Sequence, residues 1–163
     1  MDSEAIYQAL FERLSTRVEG LITVSRRLRH FNHVTPEQRP AMFITQGNQQ
    51  EVPVHGLDSK VELAAEVYLY IHESDTTKPP SSQMNIFIDR IREAIQPDHP
   101  DFSEYQTLGG LVEHCWIEGT IEVYEAVENM LDDQAIAIIP IRILTTNKKN
   151  IHFMTASMAV LSF

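Results

Sequence analysis

Residues 135–144 read AIAIIPIRIL, and this run decides the fold. Five isoleucines in ten residues are too β-branched for a comfortable helix and read as a strand. Pro140 lies inside the run, and proline has no N–H to donate to a sheet ladder. The strand is therefore expected at a sheet edge, or else with its N–H side at Pro140 facing no protein partner. Just before it, the polar break Leu131-Asp132-Asp133-Gln134 follows a β-favouring run, Leu111 to Ile121, that opens after Gly109-Gly110. Two such strands need a helix or a second sheet over their apolar face, so the rest of the chain is read as their cover.

Two helices are legible. Asp2 or Ser3 caps the first, where Ile6, Ala9, Leu10, Leu14 and Val18 recur at helical spacing; Phe11 widens the stripe and Gly20 ends it. Met84, Phe87, Ile88, Ile91 and Ile95 form the stripe of the second, capped by Ser81 or Ser82 and stopped by Pro97. Between them, Val61 to Ile71 alternates strictly, with Val61, Leu63, Ala65, Val67, Leu69 and Ile71 on one face and Glu62, Ala64, Glu66, Tyr68 and Tyr70 on the other. Ile22 to Asn32 alternates weakly and predicts a bent or bulged strand. Thr35 to Pro40 is a loop. Ala41 to Thr45 is a short strand, Gln46 to Gln50 a turn, and Glu51 to Gly56 a returning hairpin arm. The order predicts one α+β domain over residues 1–163, a mainly antiparallel β-sheet with two principal helices packed on one face. Leu10, Leu14, Val67, Leu69, Phe87, Ile88, Ile91, Ile139 and Ile141 are predicted to share its core.

Composition narrows the function classes. The chain is 43% hydrophobic and 22% charged, ordinary for a globular domain. A net charge of −10 argues against a free-standing nucleic-acid binder, which needs basic surface to displace counterions. It does not exclude a wall along which DNA passes without sticking. The single cysteine, Cys115, excludes an internal disulfide and suits a reducing compartment. No apolar run reaches the length of a membrane-spanning helix, and MDSEAIYQAL lacks the basic start of a signal peptide. The expected place of synthesis is a cytoplasm.

No catalytic, cofactor or metal site is predicted. His30 and His33, with Asp98, His99 and Asp101, offer ligand-type side chains, but on a strand His30 and His33 would face opposite sides. His114 beside Cys115 fails as a base–thiol pair for the same reason, so Cys115 reads as a buried structural thiol. Gly109-Gly110 lacks the surrounding pattern of a phosphate loop and reads as a turn needing positive φ. Asp132-Asp133 reads as a solvated turn. Arg26-Arg27-x-Arg29-His30 is the only dense basic cluster, suited to phosphates or to carboxylates on an acidic partner. On composition and pattern alone the chain is a binding or assembly domain.

The order of segments adds a resemblance. An amphipathic N-terminal helix leads to Val24-Ser25-Arg26-Arg27, then Arg39-Pro40-Ala41-Met42-Phe43-Ile44. Val67-Tyr68-Leu69-Tyr70-Ile71 ends the long strand, and Asn85-Ile86-Phe87-Ile88-Asp89 lies near the start of the second helix. Gln106-Thr107-Leu108-Gly109-Gly110-Leu111-Val112, Ile117-Glu118-Gly119 and Ala137-Ile138-Ile139-Pro140-Ile141-Arg142-Ile143 close the series. Over residues 1–145 this order resembles the tail terminator (tail completion) proteins of long-tailed bacteriophages. The resemblance implies a structural virion protein and not an enzyme. It implies a homo-hexameric ring that caps the tail-tube protein, ends tail polymerisation and presents a surface to the head–tail connector. DNA would pass through the lumen without specific binding, and neither a cofactor nor a membrane would be involved. The alternatives are another phage head–tail joining or tube protein, or a cytoplasmic small-ligand or regulatory α+β domain.

Residues 146–163 read as a C-terminal extension, of which Ile151 to Phe163 has no counterpart in that family. After a polar turn, Met154, Ala156, Met158 and Val160 share one strand parity, with methionines suited to an adaptable contact. The extension is expected to pack on its own subunit and border the ring contact; the alternative is an arm onto a neighbour or the tube. Candidate contacts are thus Arg26, Arg27, Arg29, Met154, Met158, Val160, Leu161 and Phe163.

Overall fold

The long alternating segment becomes the hub of the molecule. In a computed structural model, which describes residues 1–99, 101, 103–126 and 132–148, β3 (Lys60–His72) lies between β2 (Ala41–Val52) and β6 (Gln134–Thr146), antiparallel to both. β1 (Thr23–Ser25) runs parallel to β2 at one edge of the sheet. β4 (His114–Ile117) and β5 (Glu122–Glu125) both pair antiparallel with β6 on the other side. The result is a six-stranded mixed sheet, mostly antiparallel, with two helices packed against it. The expected α+β class is what the chain adopts.

Helix α1 (Ser3–Arg17) starts where Asp2 accepts the Ala5 N–H at 3.1 Å, and it ends at Val18, before the expected Gly20. Gly20 has φ +89°, and an added Cβ there would lie 3.0 Å from the Arg90 guanidinium. Helix α2 (Pro80–Ile95) begins one turn earlier than its apolar stripe predicts. The expected serine cap is absent. Pro79 is the capping residue, Pro80 sits in the first turn where its missing N–H costs nothing, and Glu125 of β5 accepts the Ser81 N–H at 2.6 Å. At the other end, Arg13 of α1 donates to the Ala94 and Gln96 carbonyls and pairs with Asp98 at 2.9 Å. A cation there satisfies orphan carbonyls and opposes the helix dipole.

All nine residues expected in the core are buried together. Val61, Leu63, Ala65, Val67, Leu69 and Ile71 of β3 share the helix-covered face with Ile139, Ile141 and Ile143 of β6. Two strand expectations need correction. Residues 41–52 form one strand and not a hairpin: the register shifts between Gln46 and Gln49, so the polar stretch is a bulge. Gly47 permits it, because an added Cβ would stand 2.9 Å from the Ala64 Cβ. The Ile22–Asn32 segment gives only the three residues of β1 before one turn of 3-10 helix at Phe31–His33.

Pro140 explains how β6 is central and not an edge. Ile117 pairs with Ile141 and Glu122 with Ile138, so four residues of one side, 118–121, pass two of the other. The Pro140 carbonyl faces that gap and accepts the Glu118 N–H at 3.2 Å. In an extended strand the N–H of a residue points the same way as its carbonyl, so the missing donor falls where the partner strand is interrupted. Gly119, at φ +100°, carries the chain past the proline ring.

Candidate functional site

Among the described residues, the face of the sheet away from the helices is covered on one half only. Over β2 and the end of β3, the segment 26–40 folds back so that Val34, Ala41, Phe43 and Tyr70 are buried together, with Phe31 against them. Arg39 fastens this cover. Its side chain is 5% exposed, and it donates to the carbonyls of Phe31 (2.7 Å), Val34 (3.0 Å) and Ile71 (3.4 Å). The guanidinium also lies 5.8 Å from the Tyr70 ring centre. Burial holds its pKa below the usual arginine value.

Among the described residues, nothing comparable covers the other half. Register brings Tyr68 opposite Ile138, Glu66 opposite Pro140 and Ala64 opposite Arg142. β4 adds Trp116 beside Arg142 and His114 beside Leu144, and β5 adds Tyr124 beside Ile136. Of these, Ile138, Pro140, Leu144 and Trp116 are half-buried at a surface, neither core nor free, while Tyr68 and Ile136 border the covered half and pack against its cluster. The polar groups are tied to one another. Arg142 pairs with Glu118 at 3.2 Å, Tyr68 donates to Glu66 at 2.8 Å, and His114 stacks on Trp116 with ring centres 4.8 Å apart. Burial first, then the Glu66 carboxylate, pushes the Tyr68 phenol up to about 12, so it stays a donor. A depression of about 360 Å³ between β2 and β6 is lined in part by Gly47, Asn48, Ala64, Pro140 and Arg142.

The expected candidate residues are divided by the structure. Arg26 bonds to Glu4 and, at 3.2 Å, to Gln8 of its own α1. Arg29 lies with its guanidinium 5.6 Å from the Phe43 ring centre. Arg27 is exposed, and its guanidinium has no carboxylate partner among the described residues. Met154, Met158, Val160, Leu161 and Phe163, with the rest of 149–163, lie outside the described residues. A cleft of about 430 Å³ adjoins the end of the described chain, lined by Met1, Ile6, Leu111, Val112, Thr145 and Lys148 among others.

The catalytic-type residues are placed as follows. His30 caps the one-turn helix that contains His33, and their ring centres are 5.9 Å apart, so they are neighbours and not on opposite faces. No group of three potential metal ligands occurs among the described residues. Cys115 points into the core while His114 lies on the outer face, and burial pushes the thiol up to about 12. Gly109 and Gly110 both have positive φ, as expected of a turn. Asp133 meets His72 at 2.9 Å. The half-open aromatic face itself was signalled only by the second parity of Val61–Ile71 and by isoleucines on both parities of 135–144. The sequence matches no family profile and no curated protein.

Proposed function

We infer that this chain is an assembly protein of the tail-terminator kind, capping a phage tail tube as a ring, ending its growth and offering a surface for head joining. The observation that carries the reading is the half-open sheet face. It joins apolar and aromatic side chains to ion pairs and hydrogen bonds already closed among themselves, the character of a surface that docks against protein. The order of sequence segments over residues 1–145 supports the same class, and the α+β fold accommodates it. The net charge of −10 suits a lumen that DNA traverses without gripping. The test is to add the purified chain to polymerising tail-tube subunits and image the products. The reading requires the chain at one end only of each tube and an arrest of elongation. Binding along the tube walls, or unchanged lengths, refutes it.

A further inference from the structure

The two lateral edges of the sheet differ in charge and each exposes apolar side chains. At one edge, Ile22 is 62% exposed and Leu28 41%; they flank β1, and Arg27 stands between them with its charge unpaired among the described residues. At the opposite edge, β5 is exposed at every position: Val123 is 42% exposed, Tyr124 39%, and Glu122 stands beside them. Isolated exposed apolar residues mean little. Here four of them sit at the two ends of one sheet, each pair beside a charge opposite to that of the other pair.

We propose that these edges bind each other between copies of this chain, Ile22, Arg27 and Leu28 of one copy against Glu122, Val123 and Tyr124 of the next. Strand direction permits it. β1 runs with β2, against β3, and with β6, while β5 runs against β6. A neighbour related by rotation about an axis along the strands therefore sets its β1 antiparallel to β5. Both strands have one side unpaired among the described residues, so backbone pairing can join the side-chain contact. The contact is heterologous and repeats head to tail, the type that closes into rings. Charge decides the partner: copies carrying −10 each repel at long range, so they adhere where a basic edge meets an acidic one. This deepens the ring reading above and rests on it for biological purpose, although the contact is testable without any tube.

The experiment is sedimentation of the full chain and of Arg27→Glu and Glu122→Lys, alone and mixed. The wild type associates. Each single variant, carrying two edges of like charge, associates at least about tenfold more weakly, since like charges juxtaposed across an interface cost several kcal/mol. An equimolar mixture of the two regains association, because each edge then meets its opposite. Leu28→Asp loses association with an unchanged melting temperature, and it decides the matter if a charge variant fails to fold. A wild type that stays monomeric at every concentration, a single charge variant or Leu28→Asp that associates like wild type, or a mixture that stays apart overturns the proposal. Tubes left uncapped by chains that show the charge-swap behaviour would remove the tail-terminator reading and leave this contact. Capping by Arg27→Glu and Glu122→Lys alike would do the reverse.

Discussion

The two faces of the central sheet use the same strands in opposite ways. On the helix side, Leu69, Ile139 and Ile141 are 2% exposed or less, and their energy comes from apolar area removed from water. On the other side, Tyr68, Ile138 and Pro140 alternate with those residues along the same strands, yet remain half-exposed. One half of that outer side is closed by a folded-back segment and a buried arginine, and the other half has no such cover among the described residues. Strand alternation thus supplies two surfaces at once, one buried for stability and one half-buried, which the proposed function assigns to assembly.

The largest expected effect breaks the helix side. Ile91→Ala, at the fully buried stripe of α2, should cost about 2–5 kcal/mol in denaturant unfolding, from lost transfer energy plus a cavity. Next, Arg39→Met should cost about 2–3 kcal/mol, because carbonyls of Phe31, Val34 and Ile71 lose their donor where water cannot replace it. It should also expose the segment 26–40 to protease while the sheet persists. Ile138→Ala, on the open half, should cost less than about 1 kcal/mol, since its surface is already partly wetted. Equal losses for Ile91→Ala and Ile138→Ala would erase the distinction between the faces.

The smallest effect lies at the end of the sheet. Glu113 joins Lys60 at 2.6 Å and accepts from Thr146, tying β3, β4 and β6 together. Lys60 foremost, then Thr146, holds the Glu113 carboxyl below the usual value. Its contribution is therefore present above the unfolded carboxylate pKa and is lost as pH falls through the lowered folded value. Both side chains are more than a third exposed, so Glu113→Gln should cost at most about 1 kcal/mol near neutral pH. The difference from wild type should shrink in acid; melting curves from neutral pH to about 3, below the ordinary glutamate value, would show it.

What was legible followed from local pattern. The parity of Val61–Ile71 and the stripe of Met84–Ile95 each name a buried face without reference to anything distant. What was not legible depends on contacts far along the chain. The polar stretch Gln46–Gln50 looks like a turn, and only Ala64 across the sheet shows why Gly47 carries a bulge. Glu122–Glu125 has too little apolar character to announce a strand, yet it pairs with β6 and caps α2 through Glu125. Arg39 reads as loop by composition, because its value as a fastener needs carbonyls from Phe31 and Ile71 in one place. Arg27 was visible as a charge in the sequence, but its lack of a carboxylate partner among the described residues was not, since Arg26 beside it is held by Glu4.

The most direct measurement compares Ile138→Asp with wild type in tube-growth arrest, alongside the melting temperature of each. The account predicts that Ile138→Asp melts within a few degrees of wild type, as expected when about 1 kcal/mol is at stake in a domain of this size. It also predicts that the variant no longer arrests growth, because a carboxylate then sits on the half-open face that is proposed to dock. A variant that caps tubes as well as wild type, or one that melts as low as Ile91→Ala, would contradict it.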